Sequence, residues 1–199
     1  LAIAEAADCN IHITHCSTAN SLAAVAAAKT KRNSKVSCDV TPHHIYLSDK
    51  VKEFVNPPIR SEADRLALIA GIKNGTVDMI GTDHAPHTLQ EKADGACGFT
   101  GLETAFAVCY QALVLSGAIS LSELSALMSA NPAKRLGVNC GILRPGRQAN
   151  FVLIDLQEKW TVDSTKFFSK GKYSPYNGET FQGKIMQTYR RGKLIYNAE

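Results

Sequence analysis

Asp83, His84 and His87 crowd one short stretch, Gly81-Thr82-Asp83-His84-Ala85-Pro86-His87, directly after the apolar pair Met79-Ile80. A carboxylate and two imidazoles thus sit where a short buried strand gives way to a loop. A carboxylate beside an apolar strand is costly to desolvate unless a cation or hydrogen bonds meet it. Zinc accepts imidazole nitrogen and carboxylate oxygen, and a catalytic zinc site keeps one position open for water. His15, ending His12-Ile13-Thr14-His15, is a candidate donor from a different strand. A lone strand-end His is more often structural, so spacing alone leaves both readings standing. His43-His44 looks like a metal pair, but adjacent residues on an extended backbone point opposite ways. Arg60 reads equally as a carboxylate partner or as surface. Cys16 lacks the base pattern of a nucleophile.

The elements that must position these residues alternate. Asn10–His15 has the β-branched alternation of a strand, and Ser17 or Thr18 can cap an Ala-rich helix over Ser21–Lys31. Lys35–Val40 is the next strand, and Asn56-Pro57-Pro58-Ile59-Arg60 lies in a loop. Ser61-Glu62-Ala63-Asp64 resembles a capping box and starts a helix with Leu66, Ile69 and Ile72 on one face, ended by Asn74-Gly75. Thr76–Ile80 is a third strand. Strand and helix alternate with the spacing of right-handed parallel crossovers. His15, His43 and Asp83 all fall at carboxyl ends of strands, which points to an α/β fold and to part of a (β/α) barrel rather than an open sheet.

Beyond the motif, Thr88–Gly101 reads as a lid loop and Leu102–Leu115 as a helix with Phe106, Cys109 and Leu113 inward. Ser120-Leu121-Ser122-Glu123 is a full capping box, and Asn131-Pro132 caps a short helix ended by Gly137. The character then changes to strands, at Asn150–Ile154 and within Gly183–Tyr196, the latter pair joined at Arg191-Gly192. The expected division is 1–136 and 137–199, the second a small β-rich unit.

Composition excludes several classes. The 199 residues are 45% hydrophobic with net charge +4, and the basic residues are scattered rather than massed as a nucleic-acid surface. Six cysteines without a CxxC pair fit reduced thiols in a cytoplasmic protein. No apolar run approaches the roughly 18 residues of a membrane span. The opening Leu1-Ala2-Ile3-Ala4-Glu5-Ala6-Ala7 reads as the interior of a longer protein.

Gly81–His87 with Lys92 five residues on resembles a signature of the dihydroorotases, members of the amidohydrolase superfamily. The resemblance runs through His12-Ile13-Thr14-His15-Cys16-Ser17-Thr18, Val40-Thr41-Pro42-His43-His44, Asn56–Arg60, Gly101-Leu102-Glu103-Thr104, Asn131-Pro132-Ala133, Gly141-Ile142, Arg144-Pro145-Gly146 and Ser174-Pro175-Tyr176, in the family's order. It implies the C-terminal part of a TIM-type (β/α)8 hydrolase barrel, about strands six to eight. A small β-sandwich unit follows, packing with the N-terminal segment. It implies zinc, as one or two ions, held here by His15 and Asp83, with Asp83 also carrying the proton. Asn56, His87 and the backbone of Cys97 and Gly98 match substrate contacts, although many members carry Pro or Phe at the position of Cys97. His43, His44 and His84 match supporting positions.

The implied reaction is the reversible cyclisation of N-carbamoyl-L-aspartate to L-dihydroorotate, in pyrimidine biosynthesis. His87 stands where allantoinase-like and hydantoinase-like members tend to carry Cys, which favours an anionic substrate. A dihydropyrimidinase or allantoinase activity is the alternative, as is a silent subunit scaffolding a transcarbamoylase. The family's first-strand His-x-His occurs nowhere here. These residues alone are therefore expected to be inactive. The expected partners are a second copy of the protein and aspartate transcarbamoylase.

Overall fold

Three short parallel strands carry the chemistry-bearing residues in a computed structural model that describes residues 1–198. They are β1 (Ile11–Ile13), β2 (Val36–Val40) and β3 (Met79–Ile80), ordered β1-β2-β3, with Ile13 opposite Cys38 and Val40 opposite Ile80. Helix α1 (Ala2–Ala6) precedes β1. Helices α2 (Ala19–Lys29) and α4 (Glu62–Lys73) supply the crossovers, so the alternation read from the sequence is the one observed. Thr18 caps α2 through a reciprocal box with Ser21. At its other end, Lys29 donates to Asp78 at 2.6 Å and to the Thr76 carbonyl at 2.8 Å. Asp78 also takes the Cys38 N–H at 2.7 Å, so one carboxylate joins α2, β2 and the approach to β3.

Four local readings change. The buried face of α4 is Leu68, Gly71 and Ile72, whereas Leu66 is 52% exposed. A Cβ on Gly71 would lie 2.5 Å from Leu22 Cδ1, so the glycine permits close approach of α4 to α2. The Asp64 side chain bonds Ser61 Oγ and reaches the Ala19 N–H at 2.9 Å, tying α4 to the first turn of α2 rather than closing its own box. His43 and His44 lie not on extended chain but on a short helix α3 (Pro42–Tyr46), because Thr41 caps it and Pro42 fits its first position. The lid is half helical: Thr88 and Glu91 form a capping box for α5 (Leu89–Ala93).

The described residues pack as two units, Leu1–Ala105 with Ser164–Pro175, and Phe106–Asp163 with the chain from Tyr176 onward. In the second unit, α6 (Ala105–Cys109) continues as a π-helical turn over Tyr110–Leu115. Cys109 and Leu113 are fully buried there. α7 (Leu121–Ser125), a π-helical turn and α8 (Asn131–Leu136) run on as one helix. Asn131 therefore has helical dihedrals instead of capping, while Gly137 ends the run at φ +68°. The strands β4 (Phe151–Thr161), β5 (Thr180–Arg190) and β6 (Lys193–Asn197) form an antiparallel sheet in the order β4-β5-β6. Arg191 and Gly192 turn between β5 and β6 with φ +52° and +76°, the positive angles a two-residue hairpin requires. No helix of the described residues is long and apolar enough to cross a membrane.

Candidate active site

His15 and Asp83 leave their strands in the same unusual way. His15 follows β1 at φ +41° and Asp83 follows β3 at φ +50°, left-handed values that non-glycine residues rarely hold and that concentrate at functional sites. What holds His15 there is Asp39 on β2. Its buried carboxylate takes the His15 N–H at 2.7 Å and the Thr14 hydroxyl at 3.1 Å, and lies 2.8 Å from His12 Nε2. His12 Nδ1 in turn lies 2.8 Å from Ser37 Oγ. A Cβ on Gly81 would sit 3.1 Å from the Asp39 carboxylate, so the glycine opening the motif makes room for this hub.

Sequence reasoning missed Asp39 and His12. The signal was present, since an Asp inside the strand Val36-Ser37-Cys38-Asp39-Val40 must find partners once buried.

Donor atoms are left unspent around Asp83. His15 Nδ1 and His43 Nε2 are buried and make no hydrogen bond. His43 Nε2 lies 3.9 Å from Asp83 Oδ2, too far for a hydrogen bond. Burial pushes the Asp83 carboxyl up and the Asp39 carboxylate adds to this, while His15 opposes it. Burial, then the rings of His44 and His15, push His43 down to about 2, so its ring stays neutral. His43 also meets the Phe99 ring edge-on at 5.2 Å.

His44 and His84 spend ring nitrogens on nearby groups of the chain. His44 Nε2 donates to the Pro57 carbonyl at 3.0 Å, and its Nδ1 accepts from the Thr41 hydroxyl at 2.7 Å. His84 Nδ1 accepts the N–H groups of Gly101 and Leu102 at 3.1 and 3.3 Å.

The substrate candidates form a second group. His87 Nε2 donates to the Cys97 carbonyl at 3.0 Å, and its Nδ1 lies 3.7 Å from Glu91. Gly98 donates its N–H to the Phe54 carbonyl at 2.8 Å. At φ +111°, with a Cβ position only 2.5 Å from Ala85 Cβ, residue 98 has room for glycine alone. Asn56 is exposed, on the cis Asn56–Pro57 peptide. The groups meet through Phe99, whose carbonyl takes the Ala85 N–H at 3.1 Å while its ring faces His43.

A zinc site takes four donors, and among the described residues no three His, Cys, Asp or Glu are arranged to hold a metal ion. The partnerless Nδ1 of His15 and the Asp83 carboxylate fit two of the four. The set in this chain suits part of a metal site.

Comparison with known proteins is consistent in direction. The amidohydrolase family profile matches residues 2–195. A dihydroorotase from Clostridium botulinum (strain Eklund 17B / Type B) is 46% identical over 195 residues, covering 98% of this chain and 49% of the relative. A dihydroorotase from Bacillus cereus (strain B4264) is 42% identical over 207 residues, covering 99% and 48%. The chain thus spans about half the length of the curated relatives it matches. Among solved structures, L-hydantoinase (dihydropyrimidinase) from Arthrobacter aurescens superposes with TM-score 0.93 at 27% identity, over 98% of this chain and 47% of that one. Dihydropyrimidinase from Brevibacillus agri NCHU1002 gives TM-score 0.93 at 22% identity, over 98% and 46%.

Proposed function

The chain belongs to the amidohydrolase family, and from that premise we propose that it forms the C-terminal half of a zinc-dependent dihydroorotase. The observation that carries this is the pairing of His15 and Asp83. Both follow strand ends of one parallel sheet in left-handed conformations, on either side of β2, with the His15 Nδ1 unspent and the Asp83 carboxyl raised. On this reading β1, β2 and β3 are strands six to eight of a (β/α)8 barrel. Residues 1–136 are then barrel and 137–199 the small β-rich unit, which the change from parallel to antiparallel pairing supports.

His15 and Asp83 would hold the metal, whose bound form supplies an acidified water and a polarised carbonyl. Asp83 takes the proton of the attacking water as oxygen bonds to the ring carbonyl carbon. It then returns that proton to the amide nitrogen as the C–N bond breaks. Run backwards, the same transfers close N-carbamoyl-L-aspartate to L-dihydroorotate. Asp39 and His12 keep His15 aimed, and His43 keeps a neutral ring beside the shuttle. Asn56 and His87 orient the substrate, His87 exchanging its Cys97 acceptor for a substrate oxygen.

A hydantoinase or dihydropyrimidinase activity is the second reading, favoured by the likeness to the Arthrobacter aurescens enzyme. A panel of dihydroorotate, dihydrouracil, hydantoin and allantoin, run on the longest protein carrying this chain, separates the two. Preference for dihydroorotate, lost in His87→Ala more than in any neutral-ring assay, supports the first. Full activity in Asp83→Asn overturns the shuttle. As partners we retain a second copy and an aspartate transcarbamoylase, tested by co-elution.

A further inference from the structure

Lys92 and Glu53 have no part in the chemistry above, yet both are charged and nearly sealed, with side-chain exposures of 8% and 3%. A buried charge is tolerated only when paired and fully hydrogen-bonded. Lys92 Nζ lies 2.8 Å from Glu53 Oε1 and 3.0 Å from each of the carbonyl oxygens of Phe54, Ala96 and Gly98. Its three N–H groups therefore serve four acceptors. The ammonium also sits 4.9 Å from the centre of the Tyr173 ring, and the Tyr173 hydroxyl donates to the other Glu53 oxygen at 2.7 Å. Burial, and then Glu53, push that hydroxyl up to about 12, which keeps it a donor.

The carbonyls are not a random set. Ala96 and Gly98 flank Cys97, and Phe54, two residues before Asn56, also takes the Gly98 N–H. A lysine needed only for charge would be satisfied by Glu53. Here one compact ammonium gathers two loops, each carrying a substrate contact of the proposed function.

We propose that Lys92, held by Glu53 and Tyr173, is a positioning residue that sets the backbone of Ala96–Gly98 and thereby the ring-contacting edge of the site. The clamp stands on the contacts themselves; its effect on substrate rests on the functional reading above. A tetrahedral ammonium fits converging carbonyls as a planar guanidinium does not, so Lys92→Arg does not substitute.

The test uses the longest form of the protein that carries this chain. Lys92→Met/Glu53→Gln removes both charges together and leaves no buried ion unpaired. Tyr173→Phe removes only the hydroxyl. Amide exchange in a peptide spanning 94–99 is expected to quicken by roughly ten-fold or more in the double variant, with β1 and β2 peptides unchanged. The KM for dihydroorotate is expected to rise about ten-fold with kcat within about three-fold and zinc content unchanged.

Tyr173→Phe moves both readouts the same way by less, and it decides the matter if the double variant does not fold. Unchanged exchange at 94–99 overturns the clamp, and a loosened loop with unchanged KM overturns its link to substrate. If the wild type opens no ring, the functional reading falls and exchange alone decides the clamp.

Discussion

His44 is buried with both ring nitrogens engaged, and its neutral ring with the proton on Nε2 satisfies Pro57 and Thr41 together. Burial above all holds it down to about 4, and His43 beside it down to about 2. In the unfolded chain both rings bind protons below about pH 6.5. Between there and the native values the unfolded state holds more protons, so native stability falls as pH drops. The loss is about 1.4 kcal/mol per pH unit for each ring, continuing to about pH 4 for His44. Urea unfolding between about pH 7.5 and pH 5 measures it, and His44→Gln is expected to remove one ring's share of the slope.

Asp83 runs the other way. Its raised carboxyl makes the ionised form less favourable in the folded metal-free chain, so stability is lost as pH rises through that value. Asp83→Asn is expected to leave metal-free stability equal or higher at neutral pH. Ring opening should fall by roughly 10²- to 10⁴-fold in the longer protein. A variant both less stable and fully active would refute this pairing.

At the scale of elements, Asp64 joins two helices that the sequence presents separately. Its carboxyl bonds Ser61 at the start of α4 and the Ala19 N–H at the start of α2, and these bonds hold it below the usual carboxylate range. Asp64→Ala is expected to cost about 1–2 kcal/mol, the value of a lost cap, read as a lower urea midpoint with unchanged slope. Caps, turns and the alternation of strand and helix were legible because each is written in a few adjacent residues. The buried face of α4 was not: periodicity offered Leu66, Ile69 and Ile72, whereas the buried residues are Leu68, Gly71 and Ile72, with Gly71 against Leu22 of α2. Nor was α3, where His43 and His44 read as extended chain and instead lie on a short helix that Thr41 caps and Pro42 starts.

At the scale of the molecule, three parallel strands and three antiparallel strands form separate sheets. On the proposed reading His15 and Asp83 supply two of the four donors that zinc takes, and no group of three or more donors exists among the described residues. The 199-residue chain by itself is therefore expected to retain no stoichiometric zinc after gel filtration and to open no ring. Metal analysis beside a longer form of the protein checks this. Tight zinc binding by the chain alone would mean a donor set that the fold does not display.

The sequence by itself determined much of the local grammar: the alternation of strand and helix, the caps at Thr18 and Ser120, and that Asp83 and His15 follow strand ends. Those features depend on neighbours a few residues apart. Only the tertiary structure decided how the polar groups are shared. Asp39 aims His15 across 24 residues, Asp64 caps α2 across 45, and Lys92 meets Glu53 across 39. Asp39 and Lys92 had to find partners wherever folding brought a donor or acceptor within about 3 Å, because a buried charge left alone costs more than the fold can spare, while Asp64 meets an otherwise open helix N–H. Sequence separation carries no record of that search.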